Sequence, residues 1–135
     1  MKVKLLQIRE ATGEPIQNPE DIARLMTEEG KADREGFWAL HLNTHKKVIE
    51  KELVSLGILD QSVVHPREVF KKAVLNSTHS IITVHNHPSG DPGPSQEDKA
   101  VWERLNKAGE ILGIDILDHL IITPGGNYYS YRRGD

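Results

Sequence analysis

Residues 80–98 constrain the fold of this chain more than any other stretch. Ser80-Ile81-Ile82-Thr83-Val84 is an almost continuous β-branched run, the composition of a strand buried on both faces. It leads into His85-Asn86-His87 and then into Pro88-Ser89-Gly90-Asp91-Pro92-Gly93-Pro94, a loop too constrained to be a flexible linker. Ser95-Gln96-Glu97-Asp98 reads as a helix start, with a serine N-cap and an acid at the third helical position. Val101, Trp102, Leu105, Ala108 and Leu112 follow at helical spacing, and Gly113 is the expected stop. A buried strand, a stiff loop and an amphipathic helix in this order require a sheet with helices packed on it.

The flanking segments fit the same architecture. Val3 to Ile8 alternates loosely as a short strand. Asn18-Pro19-Glu20-Asp21 opens a helix with Ile22, Leu25 and Met26 as its apolar stripe and Gly30 as its end. Gly36-Phe37-Trp38-Ala39-Leu40-His41-Leu42 and Val48 to Leu56, joined by Asn43-Thr44-His45-Lys46, predict an antiparallel hairpin ended by Gly57. Pro66 opens a helix with Val69, Phe70, Ala73 and Val74 facing inward. Ile114 to Thr123 and Tyr128 to Tyr131 are the last two strands, turned by Gly125-Gly126-Asn127. The expectation is a strand-rich α/β domain covered by helices on both faces. We divide residues 1–135 into an extension over 1–32 and a core over 33–131.

Length and composition bound the function. A chain of 135 residues is one domain by size, and 27% charged with 37% apolar residues is ordinary for a globular protein. The net charge is −3 and no run of Lys or Arg exceeds two, which argues against a strong nonspecific grip on nucleic acid. With no cysteine, disulfides, Cys-type zinc ribbons and the zinc deaminase signature are excluded. No long apolar run and no basic-then-apolar N-terminus stands in the sequence, so neither a membrane span nor a signal peptide is expected, and the cytoplasm is the default location.

The spacing H-x-H-x7-S-x2-D offers chemistry beyond the fold. Two histidines one residue apart at a strand end face the same way, because side chains alternate with period two. His85, His87 and Asp98 would give N, N and O donors with a fourth position open, the layout of a hydrolytic rather than a structural zinc centre. Ser95 and Asp98 are equally explained as a capping box, a reading compatible with the first. The letters His-Asn-His also evoke the HNH nucleases, but that name refers to residues spread over a longer ββα unit. Hydrolysis needs a general base as well, and Glu35, Glu50, Glu52 and Glu68 stand upstream. Glu50 and Glu52 read as solvated residues of a hairpin and Glu68 as a first-turn acid on a helix dipole. Glu35, at the mouth of the aromatic strand, is the mild favourite.

These residues resemble the JAMM metalloproteases, also called the MPN-plus or JAB domain, and within them the RadC family. The matching segments are Arg34-Glu35-Gly36-Phe37, His65-Pro66-Arg67-Glu68-Val69-Phe70, His85 to Pro94 with Ser95 and Asp98, and Leu117-Asp118-His119-Leu120-Ile121. The resemblance implies a cytidine-deaminase-like three-layer α/β/α sandwich with a mixed sheet. It implies one zinc per chain, held by His85, His87 and Asp98 with water as fourth ligand. It further implies Glu35 as the base, Glu68 as its rival, and Ser95 as the residue that steadies the oxyanion. Asp118 and His119 would orient a ligand from behind or serve the strand end alone.

The functional expectation is a zinc-dependent metallopeptidase acting on a peptide or isopeptide bond. Full-length RadC proteins generally carry a helix-hairpin-helix-like segment before this domain. The residues ahead of Glu35 lack its Gly-rich hairpin, which weakens the DNA-repair label attached to the family name. A noncatalytic, zinc-stabilised partner-binding module in DNA repair or mobile-element biology is the alternative, and a metal-dependent nuclease is a third reading. Substrate, partner and oligomeric state are not legible.

Overall fold

The computed structural model describes residues 13–57 and 64–135; the expected strand at Val3 to Ile8 lies outside them. Helix α1 (Pro19–Leu25) begins at Asn18, whose side-chain oxygen accepts the Asp21 N–H while the Asp21 carboxylate accepts the Asn18 N–H. The helix does not run unbroken to Gly30. It is interrupted at Met26 and resumes as α2 (Thr27–Gly30). The Thr27 hydroxyl donates back to the Arg24 carbonyl at 2.8 Å, and Met26 is fully buried. Such back-bonding by a mid-helix threonine favours a bend. Leu25, expected on the apolar stripe, is 41% exposed.

Strands β1 (Gly36–Leu42) and β2 (Val48–Leu56) form the expected hairpin. Asn43 closes it by accepting the N–H groups of His45 and Lys47 on its side chain. After α3 (Pro66–Leu75) comes β3 (Ser80–Asn86), buried at every residue and extending two positions beyond the β-branched run. Helix α4 (Gln96–Leu112) starts at Ser95 and stops at Gly113, which takes the left-handed conformation at φ 72°. Strands β4 (Asp115–Ile122) and β5 (Tyr128–Ser130) complete the chain.

The sheet order is β2-β1-β3-β4-β5, with β3 and β4 parallel and every other pair antiparallel. The α4 crossover makes the parallel pair possible, and β3 lies at the centre, as its composition demands. Alternation then sorts side chains into two layers. Trp38, Leu40, Ile82, Val84, Leu120 and Ile122 pack under Ile22 of α1 and Met26 at the α1–α2 junction. Phe37, Ala39 and Ile81 pack against Val69, Phe70 and Ala73 of α3 and Val101 and Leu105 of α4. The result is a mixed-sheet α/β sandwich with helices on both faces. Val74 and Leu112, expected inside, stand at the last turns of their helices and are 60% and 50% exposed. Among the described residues no helix is long and apolar enough to cross a membrane.

Candidate metal centre

Strand β3 delivers His85 and His87 to the α4 side of the sheet, where α4 begins. The His87 backbone N–H donates to the Ile122 carbonyl, so the β3–β4 ladder carries on through it. The two rings meet edge to face with centroids 4.8 Å apart. His85 Nδ1 lies 3.4 Å from Asp98 Oδ1, and His87 Nε2 lies 3.3 Å from Asp98 Oδ2. Two donors bound to one zinc at tetrahedral angles stand about 3.3 Å apart. His85, His87 and Asp98 form one of two His/Asp/Glu groups among the described residues whose donor atoms converge tightly enough to hold a cation.

Two further observations fit a cation here. His85 is almost wholly buried, yet neither of its ring nitrogens has a hydrogen-bond partner among the described residues. An orphaned imidazole is costly in a core and is satisfied by coordination. His87 donates from Nδ1 to the Asp91 carbonyl at 2.8 Å, so the neutral ring would present the Nε2 lone pair to a cation on the Asp98 side. The donor set of two imidazoles and one carboxylate suits zinc.

Asp98 belongs to the first turn of α4 and is buried to 2% exposure. Ser95 Oγ accepts its N–H at 3.0 Å, and Asp98 Oδ2 accepts the Ser95 N–H at 2.8 Å. The capping box and the metal-like group are therefore one structure. Burial pushes the Asp98 carboxyl up, but the imidazoles of His85 and His87 and the Ser95 N–H outweigh it and hold it well below the usual carboxylate range. The Asp98 carboxylate in turn raises the His87 pKa against the opposing effect of burial, with the Asp91 carbonyl assisting. The centre thus holds a fixed negative charge facing two imidazoles.

Glu35, immediately before β1, brings Oε2 to 3.8 Å from His85 Nε2. Glu35, His85, His87, Ser95 and Asp98 line one open cleft of about 450 Å³ together with Ser89, Asp91, Gly93 and Glu97, and among the described residues no Lys or Arg lines it. The Ser95 hydroxyl accepts the Asp98 N–H and donates to no group among the described residues, so its proton is available to the cleft.

The remaining sequence candidates lie elsewhere. Glu68 sits in the first turn of α3, half exposed beside Arg67, and does not line the cleft. Asp118 accepts the Ser130 hydroxyl and the N–H groups of His119 and Arg132, and borders a separate cavity with Ile22, Ile82 and Arg132. His119 shares a buried bond with Thr83 and donates from Nε2 to Asn106 Oδ1 at 2.8 Å, which makes Nδ1 the acceptor for Thr83. Its ring stacks on Trp102 with centroids 5.5 Å apart. Burial holds its pKa down at about 3.

Glu50 and Glu52, read from sequence as solvated, turn inward instead. They make the second convergent group with buried His41, where His41 Nε2 lies 2.9 Å from Glu52 Oε1. Lys72 Nζ stands 2.9 Å from Glu50 Oε2, so an ammonium already balances charge there. Sequence reasoning also passed over Asn86, whose neighbours drew all the attention. Its fully buried amide accepts the Gly36 N–H and donates to the Arg34 carbonyl.

Residues 16–135 match the family described as the RadC-like JAB domain. A UPF0758 protein of Desulforamulus reducens is 56% identical over 116 residues, which is 85% of this chain and 50% of that protein. UPF0758 proteins of Desulforudis audaxviator and Methanosarcina mazei are 54% and 50% identical over 116 and 118 residues, covering 85% and 87% of this chain and 50% and 51% of their own lengths. The chain thus spans about half the length of the curated relatives it matches.

Proposed function

The chain belongs to the RadC-like JAB domain family, and from that premise we propose that it is a zinc-dependent hydrolase of peptide or isopeptide bonds. The observation that carries this reading is the junction of a metal-like triad with a carboxylate and a free hydroxyl in one cleft. A cation kept only for stability needs neither Glu35 nor Ser95 at its side.

His85, His87 and Asp98 would hold the ion, one per chain. Zinc so held supplies a Lewis acid and lowers the pKa of water toward about 7. Glu35, at 3.8 Å from His85, accepts the proton of the water that attacks the amide carbonyl carbon. Ser95 donates its hydroxyl hydrogen to the carbonyl oxygen as negative charge develops, a contribution of about 3 kcal/mol in comparable sites. The C–N bond breaks, and Glu35 returns its proton to the leaving amine. The acidic lining of Glu35, Asp91, Glu97 and Asp98, with no Lys or Arg among the described residues, supports a peptide rather than a polyanion in this cleft.

The test is to profile the zinc-loaded protein against peptide, isopeptide and DNA libraries. Cleavage of an amide bond, lowered about 10²–10⁴-fold by Glu35→Gln with zinc retained, is the expected result. Cleavage confined to DNA contradicts the substrate class. Hydrolysis that survives Glu35→Gln but not Glu68→Gln would reassign the base.

A further inference from the structure

We propose that Asn86 is the positioning residue for Glu35, clamping the segment before β1 so that its carboxylate stays over the histidines. The inference rests on Glu35 being the base, and it assigns the middle residue of the His-Asn-His sequence a task of its own.

The geometry is specific. In the β1–β3 ladder the last paired residues are Phe37 and His85. Beyond that pair, where the backbone of β1 has no partner on β3, the Asn86 side chain takes over. Its Oδ1 accepts the Gly36 N–H at 2.6 Å, and its Nδ2 donates to the Arg34 carbonyl at 2.9 Å and the Ala32 carbonyl at 3.5 Å. The residues on both sides of Glu35 are therefore tied to one amide. On the other flank, Gly57, just past the end of β2, donates its N–H to the Glu35 carbonyl at 2.7 Å.

Alternation explains why this residue can do it. His85 and His87 face α4, so Asn86 between them faces the opposite side of the sheet. It reaches the Glu35 segment without entering the cleft; Asn86 is absent from the cleft lining. A carboxamide is the right group, because it offers an acceptor to an N–H and donors to carbonyls at the same time. Aspartate would keep the Gly36 bond but set a carboxylate against the Arg34 carbonyl. Alanine would leave the buried Gly36 N–H unpaired. The same short strand end thus presents the metal-like donors on one face and, through Asn86 on the other, holds the backbone that carries the base.

The test uses the full chain with Asn86→Ala and, as a milder change, Asn86→Asp, each loaded with zinc. Zinc content should stay at one per chain. The Gly36 amide should exchange at least about 10-fold faster in Asn86→Ala, and a crystal structure should show the Glu35 carboxylate displaced from His85. For a cleaved peptide, kcat should fall about 10–100-fold with KM nearly unchanged, the scale expected of a small misplacement. Asn86→Ala should add no further loss to Glu35→Gln. A variant structure with Glu35 still beside His85, or an additive loss in the double variant, overturns the proposal. Hydrolysis unaffected by Glu35→Gln removes the base assignment instead, while the position of Glu35 in the variant structure still decides the clamp.

Discussion

Ser95 and Asp98 satisfy each other's backbone: the serine Oγ accepts the Asp98 N–H at 3.0 Å and Asp98 Oδ2 accepts the Ser95 N–H at 2.8 Å. The same Oδ2 lies 3.3 Å from His87 Nε2. A helix cap and a donor for a cation are thus built from one carboxylate, and stability and chemistry can be separated at Ser95.

Ser95→Ala removes an N-cap and should cost about 1 kcal/mol of stability, measured by urea unfolding. It should also lower kcat by about 10²–10³-fold through loss of the oxyanion donor, with zinc content unchanged. Ser95→Thr keeps both functions and should stay near wild type in both measurements. A kcat unmoved by Ser95→Ala would leave the serine as a cap alone.

Gly109 inverts the usual helix rule. Replacing an interior helical glycine with alanine normally stabilises by about 1 kcal/mol. Here a Cβ would lie 2.6 Å from the Ile114 carbonyl oxygen and 3.4 Å from Phe70 Cζ. The backbone would have to shift, so Gly109→Ala should destabilise by about 1–3 kcal/mol. Urea unfolding of the variant gives the sign directly, and a gain in stability would contradict the packing of α4 on β4.

His119 makes stability depend on pH. Its folded pKa of about 3 lies below the ordinary 6.5, because burial penalises the charged ring. Below pH about 6.5 the unfolded chain therefore binds a proton that the folded chain refuses, and stability falls with acid through that window toward pH about 3. At pH 5 the loss from this group is about 2 kcal/mol. Unfolding at pH 5 and pH 7 should show a smaller difference in His119→Gln than in wild type. Equal differences would mean that His119 takes up its proton in the folded state.

Local signals made much of this molecule legible from sequence. The β-branched run at Ser80 to Val84 announced a central strand, and the two ends of α4 were written in Ser95 and Gly113, because capping depends on residues within one turn. The candidate ligands were legible for the same reason, lying within fourteen residues across one strand and one helix start. What escaped the sequence were pairings made only by the fold. Asn86 meets Gly36 across 50 residues, and His41 meets Glu52 across the hairpin from a buried position. The interspersed Lys and Glu of that strand read as solvated, because nothing in Glu50 and Glu52's own strand reveals a histidine opposite. The break at Met26 was missed since the apolar stripe continues through it while the backbone does not.

The central claim is that His85, His87 and Asp98 hold one zinc beside Glu35. Metal analysis of purified wild type, His85→Ala, Asp98→Ala and Glu35→Gln tests it most directly. The account predicts about one zinc per chain in wild type and Glu35→Gln and none in the other two. A wild-type protein that takes up no zinc, or zinc retained in full by His85→Ala and Asp98→Ala, would contradict it.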